Sequence, residues 1–230
     1  MFVLIVLYSF CITIIRCECP GNELLYNPCK CVFKLNDSNI YCGGDSDYDL
    51  SKVFEKLSKN LTENQKYFHK FYLNNTYINA LKENTFKDIT FDEIWIQNCS
   101  NLTSIHKNAF TTTQLITTEL VIENNPKLYQ SDDNSLFESI SKFIALILLT
   151  LKNNNITHIP DNAFKPLNGY QNNLIYLHFS GLSIQSIGSR PFYYLKSLTY
   201  IDFANTSISY IPENALSIKE TSKQLLRLDL

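Results

Sequence analysis

Cysteine is the residue type in this chain most able to do chemistry, and its spacing argues for cross-linking rather than catalysis. Of the seven cysteines, Cys19, Cys29, Cys31 and Cys42 form C-x9-C-x-C-x10-C, four thiols within 24 residues. A knot this dense points to a small disulfide-stapled element made in an oxidising compartment. Zinc is the competing use of four thiols, but structural zinc sites usually carry C-x2-4-C pairs, and C-x-C matches poorly. Four cysteines allow three pairings, and spacing alone does not choose among them. Cys99 is odd among the later residues and reads as a buried structural thiol rather than a nucleophile. His69, His106, His158 and His178 show no metal-ligand spacing, and G-x-S-x-G, P-loop and G-x-G-x-x-G motifs are absent from the sequence. Asp45, Asp47 and Asp49 alternate without the full calcium-loop pattern, so a polar loop is expected there. These patterns predict no catalytic residue, no metal and no cofactor.

The elements that position these residues are repeats. Ile159-Pro160-Asp161-Asn162-Ala163-Phe164 is echoed by Ile211-Pro212-Glu213-Asn214-Ala215-Leu216, and more weakly at residues 105–110 and 81–86. Each follows an apolar pattern, L-x-x-L-x-L-x-x-N-x-L-x-x-L. Phe68, Phe71, Leu73, Thr76, Ile78, Leu81 and Phe86 make the first unit. Phe91, Ile94, Ile96, Cys99, Leu102, Ile105 and Phe110 make the second, and Leu120, Ile122, Asn125, Leu128 and Phe137 the third. The fourth is Leu146 to Phe164, the fifth Leu174 to Phe192 and the sixth Leu198 to Leu216. Leu225, Leu228 and Leu230 open a seventh. The period of roughly 23 to 29 residues is that of a leucine-rich repeat. Each L-x-L strand points its apolar side chains into a solenoid, and the residues between them line a concave parallel sheet. The later leucines and the phenylalanine fill the convex side under a loop or short helix. The Asn position, held by Thr76, Cys99, Asn125, Asn154, Leu182 and Thr206, usually satisfies buried backbone between turns. Leu182 has no group to do so, which predicts a less regular turn.

The chain thus resembles the extracellular leucine-rich repeat proteins: a cysteine-rich N-terminal cap followed by repeats of this length. The resemblance covers nearly the whole sequence. It implies an α/β solenoid, a horseshoe with a concave parallel sheet, closed by a cap in which Cys19 pairs with Cys31 and Cys29 with Cys42. More narrowly, Cys19-Pro20, Pro28-Cys29-Lys30-Cys31 and Ile40-Tyr41-Cys42-Gly43-Gly44 look like an arthropod subgroup. So does Asn98-Cys99-Ser100-Asn101-Leu102-Thr103-Ser104-Ile105. Members of that subgroup are described as similar to the non-catalytic subunit of the Oplophorus luciferin 2-monooxygenase. The family's C-terminal cysteine cap has no counterpart here, so Leu230 reads as the edge of a fragment.

Domain organisation follows. Residues 1–17 read as a signal peptide, because Met1 to Ile15 is an uncharged apolar run too short to span a bilayer comfortably. Residues 18–66 are the expected cap and residues 67–230 the repeats. A net charge of −2 and a pI near 6.1 show no electrostatic footprint for nucleic acid. The expected protein is a secreted or cell-surface glycoprotein that binds a protein or matrix ligand. A membrane association requires a span downstream of this sequence. The rival readings are a receptor ectodomain and an accessory subunit of an oxygenase-like enzyme.

The outward strand positions are the candidate contact surface: Tyr72, Trp95, Glu119, Tyr176, His178, Tyr200 and Asp202. Trp95 is either a binding anchor or a ring covered by Tyr72 and the cap. Asp92, Glu93, Glu119 and Glu123 form an acidic cluster that either meets a basic partner or is a solvated face, and the solvated face is the expectation. Sequons stand at Asn36, Asn60, Asn74, Asn98, Asn101, Asn155 and Asn205. Asn98 and Asn101 are too close for both to be expected occupied. Asn74 and Asn205 are expected to carry glycans, which glycosidase treatment and peptide mass would check.

Overall fold

The computed structural model describes residues 19–129, 134–166, 173–218 and 227–229. The expected signal peptide lies outside the described residues, as do Leu225 and Leu230 of the seventh repeat. One nine-stranded sheet runs through the molecule. It begins with the cap hairpin, β1 (Lys30–Lys34) antiparallel to β2 (Asp37–Gly44), and is parallel from β2 onward. The following strands are β3 (Tyr67–Asn75), β4 (Thr90–Gln97), β5 (Glu119–Glu123), β6 (Leu148–Thr150), β7 (Tyr176–His178), β8 (Tyr200–Asp202) and β9 (Arg227–Asp229). Strand order equals chain order, so each repeat adds one strand beside the last. Short parallel bridges, Ala80–Leu81 with Ser104–Ile105 and His158–Ile159 with Ser186–Ile187, mark the outer turns.

Alternation along each strand decides what is buried. Phe71 and Leu73, Ile94 and Ile96, Leu120 and Ile122, and Leu149 and Leu151 all point inward and are fully covered. Among the described residues the convex side is built of turns, the short bridges, 3-10 turns such as Thr113–Leu115, and the helix α2 (Ser135–Ser141), with α1 (Leu50–Asn60) in the cap. Helix α1 forms because Leu50, Val53, Phe54 and Leu57 recur at helical spacing and face the core. Asp49 caps it by accepting from Ser51 N at 3.0 Å. Phenylalanines fill the space between the sheet and the outer turns. Phe54 of α1 meets Phe71, Phe86 and Phe91 with centroids 5.5, 4.9 and 5.9 Å away. The run continues through Phe86–Phe110 and Phe110–Phe143, and a second run joins Phe137, Phe164, Phe192 and Phe203.

The two disulfides are Cys19–Cys31 and Cys29–Cys42, first with third and second with fourth. Cys29 and Cys42 are buried against the first repeat's core, so the cap is joined to the solenoid by packing as well as by the β2–β3 pairing.

The buried polar ladder runs through three repeats. Asn154 Nδ2 donates to Ile122 O (2.7 Å) and Leu151 O (2.8 Å), while its Oδ1 accepts from Asn125 N (3.1 Å). Asn125 in turn donates to Ile96 O (3.2 Å) and accepts from Cys99 N (2.9 Å). In the first repeat the ladder residue is Asn75, not Thr76. Strand β3 stays extended through residue 75, which turns Asn75 inward, where Oδ1 accepts from Tyr77 N (2.7 Å) and Ile78 N (3.0 Å). Leu182 is buried at its ladder position, and Gly181 precedes it with φ +69°. The left-handed φ favours glycine at 181, and an added Cβ would fall 2.0 Å from Asn153 Oδ1 and displace that side chain. An Asn154→Leu variant keeps the side chain's bulk but orphans Ile122 O, Leu151 O and Asn125 N. A loss of about 1–3 kcal/mol per unsatisfied group is expected in urea unfolding. An unchanged midpoint would mean that water replaces the amide.

Candidate functional site

Parallel register places the outward residues of successive strands side by side, so the concave face is a set of columns. One column reads Asn39, Lys70, Glu93, Glu119, Leu148, Tyr176, Tyr200 and Arg227. The next reads Tyr41, Tyr72, Trp95, Val121, Thr150, His178, Asp202 and Asp229. The seven candidate contact residues all fall on these two columns. They do not form one cluster. They divide into an acidic and aromatic group on β3 to β5 and a polar aromatic group on β7 and β8.

In the first group Tyr41 of the cap packs on Tyr72 with centroids 5.8 Å apart. Trp95 is half-buried, with Lys70 over its ring. Lys70 Nζ lies 3.6 Å from its ring centroid, a cation–π contact, and also pairs with Glu93 at 2.8 Å. His69 is held among carboxylates, Nδ1 3.3 Å from Asp92 and Nε2 3.4 Å from Glu93 and 3.9 Å from Asp37. Tyr67 donates to the same Asp92 carboxylate. The acidic cluster is not a simple solvated face. Burial first, and then the charge of Glu93, push the Glu119 carboxyl above its ordinary range; Lys70, the Trp95 indole N–H and His69 offset this only in part. Val121, placed outward by alternation, is nearly buried at 5% exposure between its column neighbours.

In the second group Asp202 is buried, at 8% exposure, so it serves the fold more than it meets solvent. Burial raises its carboxyl, but the N–H of Ala204, Ser180, His178 and the charge of Lys152 together hold it below the usual range. His178 Nδ1 stands 3.6 Å from Asp202 and is pulled down, chiefly by burial and then by Lys152. Its ring lies 5.2 Å from Tyr200, whose hydroxyl donates to Asp229 at 2.8 Å. Tyr176 is the accessible member, at 43% exposure.

Cys99 is buried and free, with its thiol pushed up to about 11 by burial. Among the described residues no group of three or more His, Cys, Asp or Glu side chains has metal-binding geometry. Asp49 is committed to capping α1 and to Lys82 at 2.7 Å.

The sequons differ in setting. Asn36, Asn60, Asn98, Asn155 and Asn205 are exposed, whereas Asn74 is half-buried on the concave face, donating to Tyr72 Oη at 3.3 Å. Asn101 bridges repeats: Nδ2 donates to Thr76 O at 2.6 Å and Oδ1 accepts from Lys127 Nζ at 2.6 Å. Of the close pair, Asn98 is expected to be glycosylated and Asn101 not. Peptide mapping after glycosidase treatment in heavy-oxygen water would mark Asn98 alone; a label on Asn101 would contradict this.

Sequence reasoning missed Tyr41, Ile147 and Leu148. Tyr41 lies in the cap, whose β2 extends the sheet by one strand; its alternation with Ile40 and Cys42 was the available signal. Ile147 and Leu148 sit in the apolar run Phe143 to Leu151, which reads as core throughout, yet Ile147 is 40% exposed.

The fold and its stapled end define the class: a leucine-rich repeat solenoid with a disulfide-bonded N-terminal cap. No family model matches the chain. No curated protein matches it either. Among solved structures, it is similar to the chain in a crystal structure of a TLR13–ssRNA13 complex, with a TM-score of 0.40 and 18% identity. That alignment covers 76% of this chain and 30% of the other, so this chain spans less than a third of its length.

Proposed function

We propose that this chain is an extracellular, glycosylated binding protein whose concave sheet engages another protein or a matrix ligand and which performs no chemistry of its own. The observation that carries this reading is the set of outward aromatic side chains on the concave sheet: Tyr41, Tyr72 and Trp95 in one column and Tyr176 in the next, with Tyr41 and Tyr176 the most exposed. Aromatic residues supply large contact area at little entropic cost and are favoured anchors. The two disulfides favour an oxidising compartment, and residues 1–17 supply the matching export signal. Among the described residues no helix is long and apolar enough to cross a membrane.

The test begins with expression from the native start in cultured cells. The chain is expected in the medium, beginning near residue 18, and reduced in mass by glycosidase. It is then applied to an array of extracellular proteins beside a Trp95→Ala/Tyr176→Ala variant. Partners bound by the first and lost by the second support the reading. Retention inside the cell, or partners held equally by both, would sink it. The narrower arthropod resemblance supports an accessory-subunit role; its test is co-purification with a small catalytic chain.

A further inference from the structure

The concave face carries an apolar surface on β6 and β7 that adjoins the carboxylates of β4 and β5. Leu148 of β6 and Tyr176 of β7 are direct neighbours, and Ile147 lies just before Leu148, its carbonyl accepting from Ile175 N and Tyr176 N. Ile147 and Tyr176 are 40% and 43% exposed. In the same column the next residues toward the cap are Glu119 and Glu93. Glu93 is neutralised by Lys70. Glu119 is half-buried and pressed by Glu93; Lys70 and His69 attract it, but among the described residues neither makes a salt bridge with it, Lys70 being paired with Glu93. Asp92 and Glu123 add to the same sign, and Asp37 lies beyond His69.

We propose that this column binds an extended basic and apolar polypeptide segment, with a lysine or arginine against Glu119 and Glu93 and an aliphatic or aromatic side chain on Ile147, Leu148 and Tyr176. Neighbouring strands lie about 4.8 Å apart, so Glu119 and Glu93, two and three strands from Tyr176, are roughly 10 and 14 Å from it. An extended chain advances about 3.3 Å per residue, which sets the two recognised side chains about three or four residues apart. The arrangement gives specificity by charge and affinity by apolar burial. A polyanion is disfavoured, because its phosphates would meet the carboxylates. The inference rests on the reading of the concave sheet as the binding face.

The test uses a library of random displayed peptides selected on the intact secreted chain, with E119Q and Y176A as controls. The expected selection is enriched in Lys or Arg followed three or four residues later by a large apolar residue. The best peptides should bind E119Q and Y176A each about tenfold or more weakly, the change that removing one buried contact brings. E119Q removes a desolvated, repelled charge, so its melting temperature should equal or exceed that of the parent; loss of binding is then not loss of fold. Peptides that depend on Tyr176 but lack a basic residue, or ignore E119Q, would overturn this proposal and leave the concave face as the binding surface. Peptides indifferent to both variants would overturn both readings. A single-stranded oligoribonucleotide bound more tightly by E119Q, or dimerisation abolished by Y176A, would reassign the face to nucleic acid or to a second copy.

Discussion

A Phe54→Ala variant is expected to lose about 3–5 kcal/mol of stability, the usual cost of deleting a buried phenylalanine. Phe54 is the one ring of α1 that reaches the first repeat's aromatic core, touching Phe71, Phe86 and Phe91 and fully buried. Its removal both loses that transfer free energy and opens a cavity. The cavity cannot collapse easily, because its walls belong to three elements: β3 holds Phe71, β4 holds Phe91, and the outer turn holds Phe86. Solenoid stability is roughly a sum of nearest-neighbour interfaces, so the damage should fall on the cap and first two repeats. Urea unfolding followed by hydrogen exchange would check both parts. The midpoint should fall, and exchange should rise in α1, β2 and β3 before β7 and β8. A shift below about 1 kcal/mol would mean that the outer turn closes onto the gap.

The paired variant Cys29→Ser/Cys42→Ser is expected to cost about 2–5 kcal/mol, the range for removing a native bridge from a small secreted domain. The bridge spans a sequence separation of 13 residues, so a chain-entropy estimate gives about 3 kcal/mol. Both cysteines are buried in the same cluster as Ile40 and Tyr26, and two serine hydroxyls there add an unsatisfied polar cost. The matching change at Cys19 and Cys31 should cost less, because Cys31 is only half-buried. Differential scanning calorimetry of both pairs would rank them. Equal losses would show that chain entropy alone accounts for each bridge.

Strand positions and core were legible because one signal recurs. A side chain buried at the same step of successive units must be apolar each time, and Phe71, Ile94, Leu120, Leu149, Leu177 and Ile201 are. The pairing Cys19–Cys31 and Cys29–Cys42 is the one that the family resemblance implies; spacing had left it open. Ladder register was misplaced by one residue in the first repeat, since both Asn75 and Thr76 satisfy a polar pattern and only the length of β3 decides between them.

What the sequence determined by itself is the solenoid: periodic burial is a local property, and each repeat states it again. What only the tertiary structure decided is the character of the concave face. Outward residues obey no period of their own, and their chemistry depends on neighbours about one repeat away. Lys70 covers Trp95 and pairs with Glu93 across adjacent strands, which leaves Glu119 half-buried without a salt bridge beside an apolar surface. Register between strands, set by the packing of the core beneath, brings those residues together.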